Sequence, residues 1–343
     1  MLQILKFIIK NSIFYKIYRY QSKIFKLKKK EQSELVSIVV PNFNDSKFIL
    51  ETLKSIDSQS YRNIECIIVD DCSTDDSVKI VEEFIKDKSQ FKLIKHLENK
   101  GLSSSRNTGN SHAKGEYLLF LDSDDVLTPH SILTKVDVLS KSNESFVIGV
   151  GARIEYCQEK GPSLLQLFQT LRPCGYKKYL HYSNWNTGCP FMVHSVLFRK
   201  KTFDQFSGFR EDMLDGAEDF ELWYRLLRHG YVFTHCSTIG GYYRQKKGSM
   251  LLGNFEKHFS IYCEIISKTS TSDKREVEKC PYWHEDKIAY YQEAYRKFDR
   301  YVRFKGYLGF EEQKFLELPL LQSHYEKIYS KAVLKDFVKR IRA

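Results

Sequence analysis

Apolar and polar positions between residues 35 and 130 follow two rhythms that take turns. LVSIVVP (35–41) is a β-branched run of strand length, closed by Pro41. DSKFILETLKSIDSQ (45–59) then places Ile49, Leu53 and Ile56 on one helical face, with Asp45 or Ser46 as N-cap. NIECIIVDD (63–71) reads as a second strand. TDDSVKIVEEFIKD (74–87) reads as a second helix, with Val78, Val81 and Ile85 on one side. FKLIKHL (91–97) is a third strand, LSSSRNTGNSHAKG (102–115) a weaker helix ended by Gly115, and EYLLFLD (116–122) a fourth strand. Strands alternating with helices predict a mostly parallel sheet covered on both faces, an α/β fold.

Beyond residue 150 the rhythm loosens. AEDFELWYRLLRHG (217–230) is again helical, with Phe220, Trp223, Leu226 and Leu227 on one face and Gly230 as terminator. Residues 255–343 read as mostly helical. Their last segment, KAVLKDFVKRIRA, gathers Val333, Leu334, Phe337, Val338 and Ile341 opposite its basic residues. The expected division is therefore a segment 1–34, a body 35–250 with halves 35–130 and 131–250, and a helical extension 251–343.

In a parallel sheet of this kind, ligands bind beyond the carboxyl ends of the strands, and right-handed crossovers bring those ends to one edge. Three such ends are polar here: Pro41-Asn42-Phe43-Asn44, Asp70-Asp71 and Asp122-Ser123-Asp124. Two carboxylates one residue apart can accept ribose hydroxyls and ligate a divalent cation, Mg²⁺ or Mn²⁺, which neutralises a diphosphate leaving group. Each piece also has a plain structural use. Asp70-Asp71 can cap the next helix, Asn42 and Asn44 can shape a turn, and Asp-rich surface turns are common. Glu218-Asp219 opens a helix, where acids suit the macrodipole, yet a carboxylate aimed into a cleft can also act as a general base. DCSTDDSVKIVE lacks the glycine that an EF-hand loop needs at its sixth position. VIGVGARI has two glycines where a dinucleotide fingerprint needs three, and it follows the fourth strand rather than the first.

Charge changes the picture at one end only. Residues 1–30 hold nine lysines and arginines and no acid, so the other 313 residues carry just +2 of the formal +11. That removes the case for a nucleic-acid binder. Leu5, Ile8, Ile9, Phe14, Ile17 and Tyr18 share a helix side flanked by lysines, a pattern suited equally to a membrane interface and to packing on the body. No run reaches the roughly 18 apolar residues of a membrane span, and no cleavage site marks a signal peptide. Eight cysteines without a C-x-x-C pair fit free thiols in a reducing cytoplasm. The expected location is cytoplasmic, peripheral on the inner face of the membrane.

The order of the segments is more specific than any one of them. VSIVVPNFND, SIDSQSYRNIECIIVDDCSTDDS, ENKGLSSSRNTGNSHAKGEYLLFLDSDD and GFREDMLDGAEDFELWYRLLRHG closely resemble the family 2 inverting glycosyltransferases, which have the GT-A fold. The likeness is dense over 36–130, looser to about 250, and absent from 1–34 and after 255. It implies a metal-dependent transfer from a nucleotide-diphosphate sugar, most simply a UDP-sugar, to a glycan or lipid-linked hydroxyl in polysaccharide synthesis. By the same resemblance, Pro41, Asn42 and Asn44 belong to the first nucleotide-binding loop and Asp71 contacts the base. Gly101, Arg106 and Asn107 lie near the nucleotide, Asp122 contacts the ribose, Asp124 the metal, and Asp219 is the catalytic base. Family members often carry a histidine two residues after a downstream Tyr-Arg. Here Tyr243-Arg244 is followed at that place by Lys246, which leaves a histidine metal ligand in question and Arg244 as a candidate for the diphosphate. Two rivals remain: a sugar-phosphate nucleotidyltransferase, disfavoured because PNFND contains no glycine, and a non-catalytic nucleotide-binding protein of the same fold at a membrane surface.

Overall fold

The structure is a computed structural model that describes residues 24–27, 32–142, 147–159, 162, 179–180, 192–213, 216–228 and 231–245. The amphipathic segment at 1–23, Lys246 and the helical extension expected over 251–343 lie outside the described residues. The chain forms two compact units. The first comprises Met1–Tyr179, Phe191–Leu214 and Phe233–Lys247; the second comprises Leu180–Pro190, Asp215–Val232 and Gly248–Ala343.

The first unit opens with the expected alternation: β1 (Val36–Asn42), α1 (Ile49–Asp57), β2 (Ile64–Asp70), α2 (Ser77–Ile85), β3 (Phe91–Lys95), α3 (Leu102–His112) and β4 (Tyr117–Phe120). β5 (Val126–Leu127), α4 (Ser131–Ser140), β6 (Val147–Gln158), the two-residue β7 (Tyr179–Leu180), β8 (Val196–Arg199) and α5 (Lys200–Asp204) follow. α6 (Glu218–Arg228) belongs to the second unit, and β9 (Val232–Gln245) closes the sheet. The main strand order is β3-β2-β1-β4-β8-β6-β9-β5. β1 is parallel to β2 and β4, and β2 to β3, as the rhythm predicts. The less regular sequence after 140 adds antiparallel pairs, β4 with β8, β8 with β6 and β5 with β9, so the sheet is mixed.

Two local expectations need correction. β1 does not stop at Pro41 but pairs through it, Pro41 opposite Val69 and Asn42 opposite Asp70. The reason is strand length. Val39 is the last β1 residue paired with β4, opposite Phe120, and its carbonyl accepts from Leu121 N–H. Asn42 faces β2, since its carbonyl accepts from Asp71 N–H. Pro41 therefore faces the side where β4 has ended, and its missing N–H removes no ladder bond. Similarly, α1 begins at Ile49, not beside Asp45. Residues 45–48 form a separate turn closed by Phe48 N–H on Asp45 O.

The core follows the periodicity: Ile49, Leu53 and Ile56 of α1 are fully buried, as are Ile38, Val39 and Val40 of β1. Under β4, Phe120 packs edge-on to Phe209 at 4.9 Å between centroids and beside Phe203 at 5.3 Å. Phe209 in turn meets the Arg106 guanidinium of α3.

In the second unit, α6 buries Phe220, Leu222, Trp223 and Leu226. One turn apart, Glu221 and Arg225 form a two-point pair at 2.9 Å for each bond.

Candidate active site

The exits of β1, β2 and β4 and the β3–α3 loop meet through hydrogen bonds within the first unit. Asn42, at the end of β1, is 1% exposed and donates from Nδ2 to Asp70 Oδ1 at 2.7 Å and Ser77 Oγ at 3.1 Å. Asn44 adopts φ 55° and accepts Thr74 N–H on its side-chain oxygen at 2.8 Å. Asparagine tolerates that left-handed geometry better than most residues. Both asparagines thus tie the loop after β1 to the loop after β2. Asp75 joins them: burial works against its ionised form, but bonds from Ser77 and Ser46 prevail and hold its pKa at about 2.

Asp71 is 3% exposed, and its carboxylate organises the ENKG loop. Oδ1 accepts Lys100 N–H at 2.9 Å, Oδ2 accepts Gly101 N–H at 2.7 Å, and His96 Nδ1 lies 2.7 Å from Oδ1. Gly101, with φ 88°, is the N-cap of α3 and turns the chain into that helix. From α3, buried Arg106 reaches back to Asp122 at 2.7 Å while its guanidinium lies over Phe209. Asn107 faces a different way. Its carboxamide pairs with both backbone groups of Phe209, N–H at 2.9 Å and C=O at 2.8 Å, and also donates to Glu211.

The 122–125 turn after β4 gathers three aspartates, Asp122, Asp124 and Asp125. Arg106 holds the first, and Arg244 reaches both of the others. Asp122 takes the Arg106 guanidinium. Asp125 is fully buried; its Oδ1 accepts Arg244 N–H at 2.9 Å, and its Oδ2 lies 3.0 Å from His194 Nδ1. Asp124 remains half-buried, with its backbone carbonyl accepting from Arg244 Nε at 2.7 Å. From below, the Thr52 hydroxyl lies 2.7 Å from Ser123 O and 2.8 Å from Asp125 O, and Ser123 donates to Asp45. Arg244 itself is 2% exposed, pairs with Glu51 at 2.5 Å and stacks over Phe48. It braces the turn.

Asp122, Asp125 and His194 are, among the described residues, a group whose ligand atoms all lie within 4.8 Å of one another. Asp125 Oδ2 and His194 Nε2 are buried without an aligned hydrogen bond. Two carboxylate oxygens and an imidazole nitrogen are a donor set that fits a divalent cation. Asp124 is not a member of that group. His194, in MVHSVLFRK at the entry to β8, carried no signal in the sequence beyond being a lone histidine beside a strand; the antiparallel return of β8 along β4 brings it here.

Of the residues expected from sequence, Asn42, Asn44, Asp71, Gly101, Arg106, Asp122, Asp124 and Arg244 are held by the bonds of these strand exits in the first unit, and Pro41 sits beside them in β1 opposite Val69. Asn107 is on the same helix but clamps the 207–211 turn. Asp219 belongs to the second unit, where it sits in the first turn of α6, half-buried, and accepts Phe220 N–H at 2.7 Å.

Comparison with known proteins places these features in context. The family model described as Glycosyl transferase family 2 matches residues 37–205. The Escherichia coli UDP-Glc:alpha-D-GlcNAc-diphosphoundecaprenol beta-1,3-glucosyltransferase WfaP is 31% identical over 224 residues, 65% of this chain and 82% of that protein. Glycosyltransferase GlyG of Streptococcus pneumoniae serotype 4 is 41% identical over 118 residues, 34% of this chain, and the chain spans only 39% of GlyG's length. Among solved structures, residues 1–349 of TarS from S. aureus in complex with UDP superpose with a TM-score of 0.57 at 19% identity, covering 90% of each chain.

Proposed function

The chain belongs to glycosyltransferase family 2, and from that premise we propose that it moves a hexose from a UDP-sugar to a hydroxyl of a lipid-linked glycan acceptor, with inversion at the anomeric carbon, in bacterial cell-surface polysaccharide synthesis. The observation that carries this reading is the joined set of strand exits: Asp71 after β2, bonded to the β3–α3 loop, and Asp122 after β4, bonded to Arg106. WfaP, named for UDP-glucose and a diphosphoundecaprenol-linked acceptor, supports the donor and acceptor classes.

In this reading Asp71 accepts a ring N–H of the base, and Asp122, oriented by Arg106, accepts a ribose hydroxyl. Asp219 takes the proton from the acceptor hydroxyl. The freed oxygen attacks the anomeric carbon from the face opposite UDP. The carbon–oxygen bond to the diphosphate breaks, and its electron pair leaves with UDP. A single displacement inverts configuration and needs no covalent sugar–protein intermediate. A divalent cation, when bound at the 122–125 turn by Asp124 or by Asp122, Asp125 and His194, supplies positive charge for the departing diphosphate.

Thermal unfolding with a panel of nucleoside diphosphates tests the donor class. UDP with Mn²⁺ raises Tm more than GDP, CDP or ADP do, and chelation removes most of the gain. Equal shifts for all four would overturn the uridine assignment. Membrane attachment rests on the basic segment 1–30 alone. No helix among the described residues is long and apolar enough to cross a membrane. A chain lacking residues 1–30 moves from the membrane fraction to the soluble one; unchanged sedimentation would rule that anchor out.

A further inference from the structure

We infer that His96 is a positioning residue for nucleotide recognition: its imidazole locks the Asp71 carboxylate and fastens it to the helix that carries Arg106. This rests on the reading of Asp71 as the acid that faces the base.

His96 follows β3 directly, and its backbone N–H donates to Asp70 O at 2.9 Å. The side chains of His96 and Asp71 are 6% and 5% exposed. Nδ1 lies 2.7 Å from Asp71 Oδ1, and Nε2 lies 3.0 Å from Thr108 Oγ1. An ionised carboxylate only accepts, so Nδ1 carries the hydrogen. The Thr108 hydroxyl can donate to Nε2 or accept from it, which keeps the ring bonded on both sides.

An ionised carboxylate offers roughly four acceptor positions. On Asp71, His96 and Lys100 N–H occupy those of Oδ1, and Gly101 N–H takes one on Oδ2. One position on Oδ2 is left, and a base N–H requires such a position. Lys100 and Gly101 are neighbours on a single loop, so their two bonds alone let carboxylate and loop move together. The imidazole supplies a separate anchor from the fixed start of the loop, where His96 N–H is bonded to Asp70 O and Nε2 meets Thr108 of α3. Through Thr108 it reaches α3, two residues from Arg106, whose guanidinium fixes Asp122 at 2.7 Å. One ring therefore links the base end of the proposed site to its ribose end.

A histidine that only stabilised the fold would affect unfolding. A positioning role through Nδ1 depends on which nitrogen is kept. Asn places its amide nitrogen near Nδ1, whereas Gln places it near Nε2. UDP titration calorimetry on the full chain, with His96→Asn, His96→Gln and Thr108→Val, separates the two roles.

The His96→Gln variant weakens UDP binding about tenfold, the worth of one hydrogen bond to a charged group. His96→Asn stays within about threefold of the parent, and Thr108→Val falls between. In turnover, KM for the nucleotide sugar rises while kcat changes little. Without nucleotide, hydrogen exchange at the Lys100 and Gly101 amides accelerates in His96→Gln. Parent-like UDP affinity in folded His96→Gln, or equal losses in the Asn and Gln variants, would overturn the assignment. If His96→Gln does not fold, Thr108→Val decides: unchanged affinity and unchanged amide exchange would overturn it. A parent chain that binds UDP while the variants match it sinks the role of His96 alone. A parent chain that binds no UDP sinks the nucleotide reading beneath it as well.

Discussion

Asp124→Asn keeps the shape of the 122–125 turn and removes one charge, while His194→Ala removes a buried imidazole 3.0 Å from Asp125. The family resemblance points to Asp124 as metal ligand; the geometry gathers Asp122, Asp125 and His194. Mn²⁺ titration followed by electron paramagnetic resonance distinguishes them. If the gathered group is the site, His194→Ala weakens Mn²⁺ binding by about tenfold or more and Asp124→Asn does so far less. The reverse order would return the metal to Asp124. A second residue-scale consequence lies behind the site. Lys135 of α4 is fully buried, and its one described bond is to His194 O at 3.4 Å. Burial lowers its pKa from 10.5 to about 7, against a smaller opposing effect of Cys236. Between those values the unfolded chain holds a proton that the folded chain lacks, so stability rises with pH across that window. Lys135→Met is accordingly more stable than the parent by a few kcal/mol at pH 6, and the gap narrows toward pH 10. Urea unfolding at both pH values checks it; a constant gap would show that the amine stays charged.

At the scale of elements, sequence rhythm was enough for β1 to β4 and the helices between them, because strands buried on both faces, β1 and β4 above all, read as short unbroken apolar runs, while α1 carries one buried apolar face. It was not enough for β5, β6, β8 and β9. Those strands pair antiparallel across long separations, and nothing local in VIGVGARI or VLFRKKTF announces the partner. The site was legible to the same extent. Asp71, Asp122 and Asp124 stand at strand ends, where topology alone makes them converge. His96 and His194 were missed because a lone histidine beside a strand has no periodic signature. Asn107 was legible by family likeness, yet its carboxamide serves the 207–211 turn. That turn passes through Gly208 at φ 70°, where a Cβ would sit 2.4 Å from Asn107 Oδ1. Gly208→Ala should therefore cost about 1–3 kcal/mol and loosen the Asn107 clamp. Combining it with Asn107→Ala should recover part of that loss. Additive costs in the double variant would mean that backbone strain, not the clash, dominates.

At the scale of the whole molecule, two units divide the proposed chemistry. The first carries the edge proposed to bind the donor and the 122–125 turn; the second carries Asp219 on α6. A sugar-transfer reaction needs both, a donor held with its diphosphate neutralised and a base for the acceptor. Of the formal +11, nine charges lie in residues 1–30, the segment proposed to meet a membrane surface. The most direct measurement is UDP release by the full chain from UDP-glucose with Mn²⁺ and a polyprenyl-diphosphate-linked acceptor, set beside Asp219→Asn. The parent should release UDP in step with a product of inverted anomeric configuration. The variant should bind UDP normally yet turn over at least about a hundredfold more slowly. Parental turnover in a folded Asp219→Asn variant, or a product with retained configuration, would contradict the proposed mechanism.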